Sequence, residues 1–118
     1  MKRLKPLLPT LKEKKRYLAF EIISKSKITA FSEVSKAIWG STLSFAGTKG
    51  AAKMGIWVLA EKYNTMKQKG LIRVEHKGMD ELKASLSLIN QIEQQPVIVR
   101  SIGASGILAK AEKKYIGG

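Results

Sequence analysis

Residues 16–24 have the sequence RYLAFEIIS, a short apolar and aromatic run bounded by polar residues. Such a run is typical of a β-strand. Because side chains alternate between the two faces of a strand, Tyr17 is expected on the face opposite Leu18, Phe20 and Ile22. The chain is therefore predicted to contain a first strand that buries one face against a core.

The residues that follow change to a helical period. Apolar side chains recur at helical spacing between residues 28 and 46, namely at Phe31, Val34, Ile38 and Phe45. Thr29 is suited to cap this helix and Gly47 to end it. Residues 47–50, GTKG, also match the GxxG spacing by which KH domains clamp an RNA backbone. That loop joins two helices, whereas a strand is predicted here, so a helix end followed by a turn is the preferred interpretation.

The second half of the chain repeats the alternation of strands and helix. Residues 55–62 and 70–77 are strand-like, and the short connection at 63–69 favours an antiparallel hairpin. Asp80 is expected to cap a second helix, whose apolar stripe consists of Leu82, Leu86, Ile89 and Ile92. Residues 96–102 then form a fourth strand, residues 103–106 a turn, and residues 107–116 a last amphipathic helix.

This order predicts an α+β fold, a ferredoxin-like or RNA-recognition-like βαββαβ sandwich. It would have a four-stranded antiparallel sheet with two helices on one face, plus a C-terminal helix. Residues 16–118 are expected to form this single domain. Residues 1–15 are expected to be a basic N-terminal arm, because lysines are frequent there and Pro6 and Pro9 interrupt the segment.

The charge of the chain indicates a polyanionic partner. Its 118 residues include 22 Lys and Arg against 9 Asp and Glu, a formal net charge of +13. Such an excess repels itself in a compact domain, and nucleic acid relieves it because neutralised phosphates release counterions. No apolar run approaches the roughly 20 residues that span a bilayer. Without a signal peptide or cysteines, a cytoplasmic protein that does not contact membranes is expected.

Enzyme chemistry is poorly supplied by this sequence. A catalytic triad would have to use His76 and Asp80, the single histidine and the single aspartate of the chain. Nothing marks a nucleophile or an oxyanion hole, so no catalytic residue is predicted and His76 is interpreted as solvated or phosphate-facing. One imidazole and scattered carboxylates also fall short of a metal site, and no cofactor bound by the protein is predicted.

A basic surface is predicted on the sheet face that points away from the helices. Alternation places Tyr17 and Arg73 there, and the last helix begins where the fourth strand leaves the sheet. The turn at 103–106 is either an anion site at the start of that helix or an ordinary turn capped by Ser105. The predicted RNA contacts are Lys15, Arg16, Tyr17, Arg73, His76, Lys77, Arg100, Ser105, Gly106, Lys110, Lys113 and Lys114. Trp39 and Trp57 are interpreted as core or protein-partner contacts.

Several segments together resemble a known family over about residues 9–116. They are 9–11 (PTL), 15–24 (KRYLAFEIIS), 37–39 (AIW), 70–73 (GLIR), 76–77 (HK), 97–100 (VIVR) and 103–106 (GASG). In order and spacing the chain is similar to the archaeal ribonuclease P protein component 2 family, whose eukaryotic counterpart is called Pop-five. Two departures are Lys83, where the family often has arginine, and Ile107, where it often has threonine.

The resemblance implies a ferredoxin-like RNA-binding subunit that supports the catalytic RNA of ribonuclease P. That RNA removes the 5′ leader of precursor tRNA with magnesium bound by RNA, so the subunit would meet precursor tRNA only indirectly. It would pair with a barrel-folded protein subunit of the particle, component 3, with self-association in a heterotetramer. Alternatives are an RNA-binding module of another ribonucleoprotein, or an acylphosphatase-like enzyme. The enzyme would need a glycine-rich cradle with arginine where residues 24–27 are SKSK.

Overall fold

The computed structural model describes residues 15–117, which contain a five-stranded antiparallel sheet and three helices. The strands are β1 Lys15–Ser24, β2 Trp57–Val58, β3 Lys69–Glu75, β4 Gln91–Ile92 and β5 Gln95–Ser105. The helices are α1 Phe31–Met54, α2 Met79–Ser87 and α3 Leu108–Ala111, which continues as a π-helical turn Glu112–Ile116. Single 3₁₀ turns occupy Ala60–Lys62 and His76–Gly78. The predicted N-terminal arm lies outside the described residues apart from Lys15, which begins β1.

The strands lie in the order β2-β3-β1-β5-β4, with β1 in the centre and paired to both β3 and β5. The predicted α+β class is confirmed, but the predicted number of four strands is wrong. The fifth strand, β4, forms a hairpin with β5 through Glu93 and Gln94, whose φ angles are 54° and 65°. Two positive φ angles match the tight type I′ hairpin turn, which usually carries asparagine or glycine. No such residue marks this turn in the sequence.

The extra hairpin also shortens the second helix. α2 ends at Ser87, so Ile89 and Ile92 lie beyond it, although both are buried. Their helical spacing in the sequence is therefore a coincidence of two buried residues on a loop and a strand. Asp80 lies in the first turn of α2, and the N-cap position is Gly78 rather than Asp80.

Gly47 interrupts α1 without ending it. Its φ of 77° and ψ of 171° are not helical, yet the helix resumes and continues to Met54. The first helical segment therefore ends at Gly47 as predicted, but a second helical segment follows it to Met54 where a turn was predicted. Ala51 and Met54 explain this, since both are buried in the core and hold the second segment in place. Of the GTKG sequence only Gly47 is non-helical, and residues 48–50 begin the second helical segment, so no strand follows directly.

One face of the sheet packs against α1 and α2 and forms the main core. Leu18, Phe20 and Ile22 of β1 point into it, as their alternation predicts, with exposed fractions of 3% or less. Val34 and Ile38 of α1 and Leu82 and Leu86 of α2 close it from above. Full burial of one such side chain contributes about 1.5–3 kcal/mol. This core fixes the positions of β1 and β3, the strands that carry most of the candidate site.

The opposite face is partly covered by α3. Ala19 and Leu71 from the sheet pack against Ala111 and Ile116, with Tyr115 at the margin of this second cluster. The Tyr115 ring lies over Gly103, where an added Cβ would overlap it. Because β5 runs on to Ser105, Gly103 is a strand residue and not part of the predicted turn. Its missing side chain is what allows the ring, and with it α3, to approach the sheet.

A buried glutamine joins β1, β3 and the approach to α1. The side chain of Gln68 donates to the Ile22 carbonyl (2.9 Å) and the Ser24 hydroxyl (3.1 Å), and it accepts from the Ile28 N–H. Gln68 is 5% exposed and has a φ of 54°, a left-handed backbone conformation. These bonds give partners to the Ile22 carbonyl and the Ile28 N–H, which lie beyond the last residue pair between β1 and β3.

The Tyr63 hydroxyl makes the stability of the fold sensitive to alkaline pH. It donates to the Ile28 carbonyl at 2.8 Å, and burial, with a smaller contribution from the Glu93 charge, raises its pKa to about 12 from 10.0. An unfolded tyrosine loses its proton near pH 10 while the folded one keeps it. Between about pH 10 and 12 the loss of this proton therefore stabilises the unfolded state relative to the folded state. The free energy of unfolding falls as pH rises through this range.

We expect the free energy of unfolding to fall less steeply between pH 10 and 12 in Tyr63→Phe than in the wild type. At pH 7 the variant should lose about 1 kcal/mol, the contribution of one hydrogen bond. Urea denaturation at both ends of this pH range measures the two slopes. Parallel slopes would show that Tyr63 does not carry the alkaline loss.

Candidate RNA interface

A cross-strand row of polar and aromatic residues occupies one end of the sheet face that carries α3. Trp57 pairs with Arg73, Arg73 with Tyr17, and Tyr17 with Ser105. Directly paired residues of antiparallel strands point to the same face. Four strands at ordinary spacing place the row across about 14 Å. The predicted alternation of Tyr17 and Arg73 to this face is confirmed by the register.

Arg73 is held against the indole of Trp57. Its guanidinium carbon lies 5.2 Å from the ring centroid, within the range of a cation–π interaction. The Arg73 Nε is buried and has no hydrogen-bond partner among the described residues. Trp57 itself is 60% exposed, so of the two roles expected for it the core position is wrong, whereas the protein-partner contact stays a prediction.

Tyr17 is less available than Arg73. It is half-buried and packs against the cluster under α3, together with Ile102, Leu108 and Tyr115. The helix therefore closes the central part of the face, where RNA-recognition modules commonly stack bases. Any ligand of this surface meets Tyr17 at its edge and Arg73 and Trp57 more directly.

The lysines of the last helix stand beside this row. Lys110, Lys113 and Lys114 are all exposed, and the Lys114 ammonium lies 5.5 Å from the Tyr115 ring centroid. The helix is fixed near its middle by an ion pair between Lys62 and Glu112 at 3.1 Å. At its C-terminal end, Lys67 donates to the Gly117 carbonyl at 3.3 Å and so caps the helix. The three helix lysines therefore project from an anchored element.

The turn before α3 has an ordinary structure. The Ser105 hydroxyl accepts the Ile107 N–H at 3.1 Å, which makes a local turn, and Ile107 occupies the N-cap position. Only four residues of α-helix follow. The structure shows the turn that one interpretation predicted, although Ser105 does not cap the helix, and the anion site stays a prediction. Gly106 is exposed next to Arg16, whose Nε would lie 3.9 Å from a Cβ at Gly106.

The remaining predicted contacts are not members of the row. Arg16 pairs with Val74 and so belongs to the other face of the sheet, at its edge, with a buried and unpartnered Nε. Lys15 forms an ion pair with Glu75. Arg100 is bound to Glu21 at 2.8 Å, on the part of the face beyond α3. His76 and Lys77 are exposed in the 3₁₀ turn that follows β3.

Catalytic and metal-binding groups are sparse in residues 15–117. His76 and Asp80 are both exposed, and no three His, Cys, Asp or Glu residues of this range are grouped so that they could hold a metal ion. A helix long and apolar enough to cross a bilayer is also lacking in the described part of the chain.

The fold and the row define an α+β sheet protein with a basic, partly aromatic face beside a lysine-bearing helix. The chain belongs to the Rpp14/Pop5 family, whose model matches residues 16–116. Ribonuclease P protein component 2 of Thermococcus gammatolerans is 37% identical over 112 residues, which is 95% of this chain and 91% of the relative. The protein of the same name from Pyrococcus horikoshii is 34% identical over 98% of this chain and 94% of its own length.

A relative of the same name from Methanocaldococcus jannaschii is 35% identical over 97% of this chain and 81% of its own length. Among solved structures, a chain of the cryo-EM structure of yeast ribonuclease MRP superposes with a TM-score of 0.63. It covers 89% of this chain and 87% of that chain at 13% identity, so this likeness concerns the fold alone.

Proposed function

We propose that this chain is an RNA-binding protein subunit of ribonuclease P, which supports the catalytic RNA that removes the 5′ leader from precursor tRNA. The observation that carries the proposal is the match to proteins named ribonuclease P protein component 2 over 95% or more of the chain. The strand order, read without the short β4, is that of a ferredoxin-like sheet and agrees with this assignment. The acylphosphatase alternative and the module of another ribonucleoprotein have no comparable support.

The chemistry that this chain supplies is electrostatic. Lys110, Lys113 and Lys114 extend the surface at Arg73, so that an RNA backbone lying across α3 would meet several cations in succession. Neutralising phosphates lets RNA segments approach one another, and the released counterions contribute to the affinity. The subunit is non-catalytic in this proposal, and the magnesium that supports cleavage is held by the RNA. Action in the cytoplasm belongs to the same proposal.

A protein partner is also part of the proposal, and α1 offers a surface for it. Trp39 and Leu43 are one helical turn apart and are 38% and 45% exposed. Large apolar side chains in such a position are typical of protein interfaces. The barrel-folded component 3 of the particle is the partner that we expect, with self-association giving a heterotetramer.

Reconstitution tests the function directly. Ribonuclease P RNA and the partner proteins should cleave precursor tRNA faster with this chain than without it, and this chain alone should not cleave. Cleavage by the isolated protein would contradict its non-catalytic role. A reconstituted particle whose rate does not change on adding the chain would contradict the proposed function.

We expect Lys113→Ala and Arg73→Ala to weaken binding of ribonuclease P RNA with little regard to base sequence. Each lost phosphate contact should reduce the slope of log affinity against log salt by about one unit. Affinities measured at several salt concentrations give these slopes. Lys36→Ala is the matched control. Lys36 is exposed on α1, on the other side of the sheet, and its substitution removes the same charge. Slopes that do not differ among the three variants would exclude the proposed surface.

A further inference from the structure

Trp57 and Arg73 present a flat aromatic ring and an unpartnered cation at the same edge of the sheet. The Trp57 indole is 60% exposed, which is more than the 38% of Trp39. It lies on the two-residue edge strand β2, and its cross-strand partner Arg73 is 5.2 Å from the ring centroid. Neither residue is covered by α3, which packs on the neighbouring part of the face around Leu71.

Arg73 is oriented but not neutralised. None of the ion pairs within residues 15–117 includes Arg73. The neighbouring cross-strand pair, Lys15 and Glu75, forms an ion pair of its own. The buried Nε of Arg73 lacks an acceptor. A ligand would meet the guanidinium through its Nη groups, because the buried Nε is not accessible from solvent.

A nucleotide carries both groups that this pair lacks. Its base has a flat face that can stack on an indole, and its phosphate accepts hydrogen bonds from a guanidinium. An apolar protein surface would cover the indole but would leave Arg73 without an acceptor. The excess of positive charge in this chain also favours the polyanion.

We infer that Trp57 and Arg73 form a binding site for one unpaired nucleotide of the RNA, whose base stacks on the indole while its phosphate meets Arg73. The inference rests on the proposed RNA-binding function and adds a subsite to it. The stacking is tolerant of base identity, because each of the four bases has a similar π face. The site lies towards the β2 edge of the sheet, beside the part of the central strands that α3 closes.

The test uses a single-tryptophan protein, Trp39→Phe, in which Trp57 is the only reporter of indole fluorescence. Its probe is a single-stranded RNA octamer, compared with an octamer of equal phosphate number that carries abasic positions. We expect the octamer with bases to quench Trp57 and to bind about tenfold more tightly than the abasic one. In Trp57→Ala this difference should disappear, while Trp57→Phe should keep part of it.

Trp39→Ala is the matched control, since it removes the other exposed tryptophan from α1 and should leave the preference for bases intact. Arg73→Lys should weaken both octamers while retaining the charge, because the planar guanidinium is lost. Trp57→Ala is expected to unfold at the same temperature as the wild type, since the ring is mostly exposed.

Two failures can be told apart. If both octamers bind equally and Trp57 is not quenched, while Lys113→Ala still lowers the salt slope, the nucleotide site is wrong and the proposed function stands. If no RNA binds at any salt concentration, the proposed function itself fails. Quenching of Trp57 by a partner protein, with none by RNA, would assign the surface to a protein interface and overturn the inference.

Discussion

Gly103→Ala is expected to release the last helix from the sheet. The new methyl group would overlap the Tyr115 ring, and the ring cannot retreat without lifting α3 off Ala19 and Leu71. Overpacking of this kind costs about 1–3 kcal/mol, and we expect the upper end because a whole element is displaced. Chemical denaturation measures the loss, and limited trypsin digestion at Lys110 and Lys113 reports the release. On the proposed function, RNA affinity should also fall.

Two variants control for this effect. Gly40→Ala makes the same chemical change on α1, where an added Cβ meets nothing within 4 Å, and it should stabilise the helix by about 0.5–1 kcal/mol. Gly103→Ala combined with Tyr115→Leu removes the ring that the methyl group meets, so the double variant should lose less than the sum of the two single variants. Strict additivity, or intact trypsin resistance in Gly103→Ala, would contradict the proposed role of Gly103.

Gln68→Ala should cost about 3 kcal/mol of folding free energy, since it leaves the Ile22 carbonyl and the Ile28 N–H without partners in a buried place. The variant also keeps a left-handed backbone that alanine tolerates poorly. Gln68→Gly removes this strain but not the loss of hydrogen bonds, so it should be more stable than Gln68→Ala by about 1 kcal/mol. Urea denaturation of both variants gives the comparison.

Gln94→Gly is the matched control for Gln68. Its φ of 65° is also left-handed, but the residue is exposed in the β4–β5 turn, so glycine there relieves strain at little other cost. The variant should be as stable as the wild type or more stable by up to about 1 kcal/mol. A loss of under about 1 kcal/mol in Gln68→Ala would show that the buried hydrogen bonds contribute little.

The sequence predicted the parts of the fold where a hydrophobic period is long. β1 and the first part of α1 were recognisable because alternation or helical spacing continues over nine or more residues. The β4 hairpin was not predicted because Glu93 and Gln94 adopt positive φ angles, which these residue types do not indicate in a sequence. The continuation of α1 beyond Gly47 was missed because tertiary burial of Ala51 and Met54, not local propensity, holds it.

The candidate site was predictable only in part. Strand alternation placed Tyr17 and Arg73 on one face, since that follows from the period of two alone. The pairing of Trp57 with Arg73 depends on the register between β2 and β3, which the ten-residue connection 59–68 does not determine. An outward position of Trp57 could have been inferred from strand alternation, because the apolar residues Ile56 and Val58 on either side of it would then share the core face. The pairing of Arg100 with Glu21 was also hidden, because it joins residues 79 positions apart.

On the proposed function, the packing of α3 against the sheet has a consequence for how the sequence of the bound RNA can change over evolution. A protein whose central strands are covered by a helix cannot contact a run of bases. Its binding depends instead on the positions of the phosphates. Paired substitutions that preserve the shape of the RNA would then leave its affinity for this surface unchanged. An insertion that moves the backbone by one nucleotide would lower that affinity. The RNA would be free to drift in sequence but constrained in length and curvature where it crosses this helix.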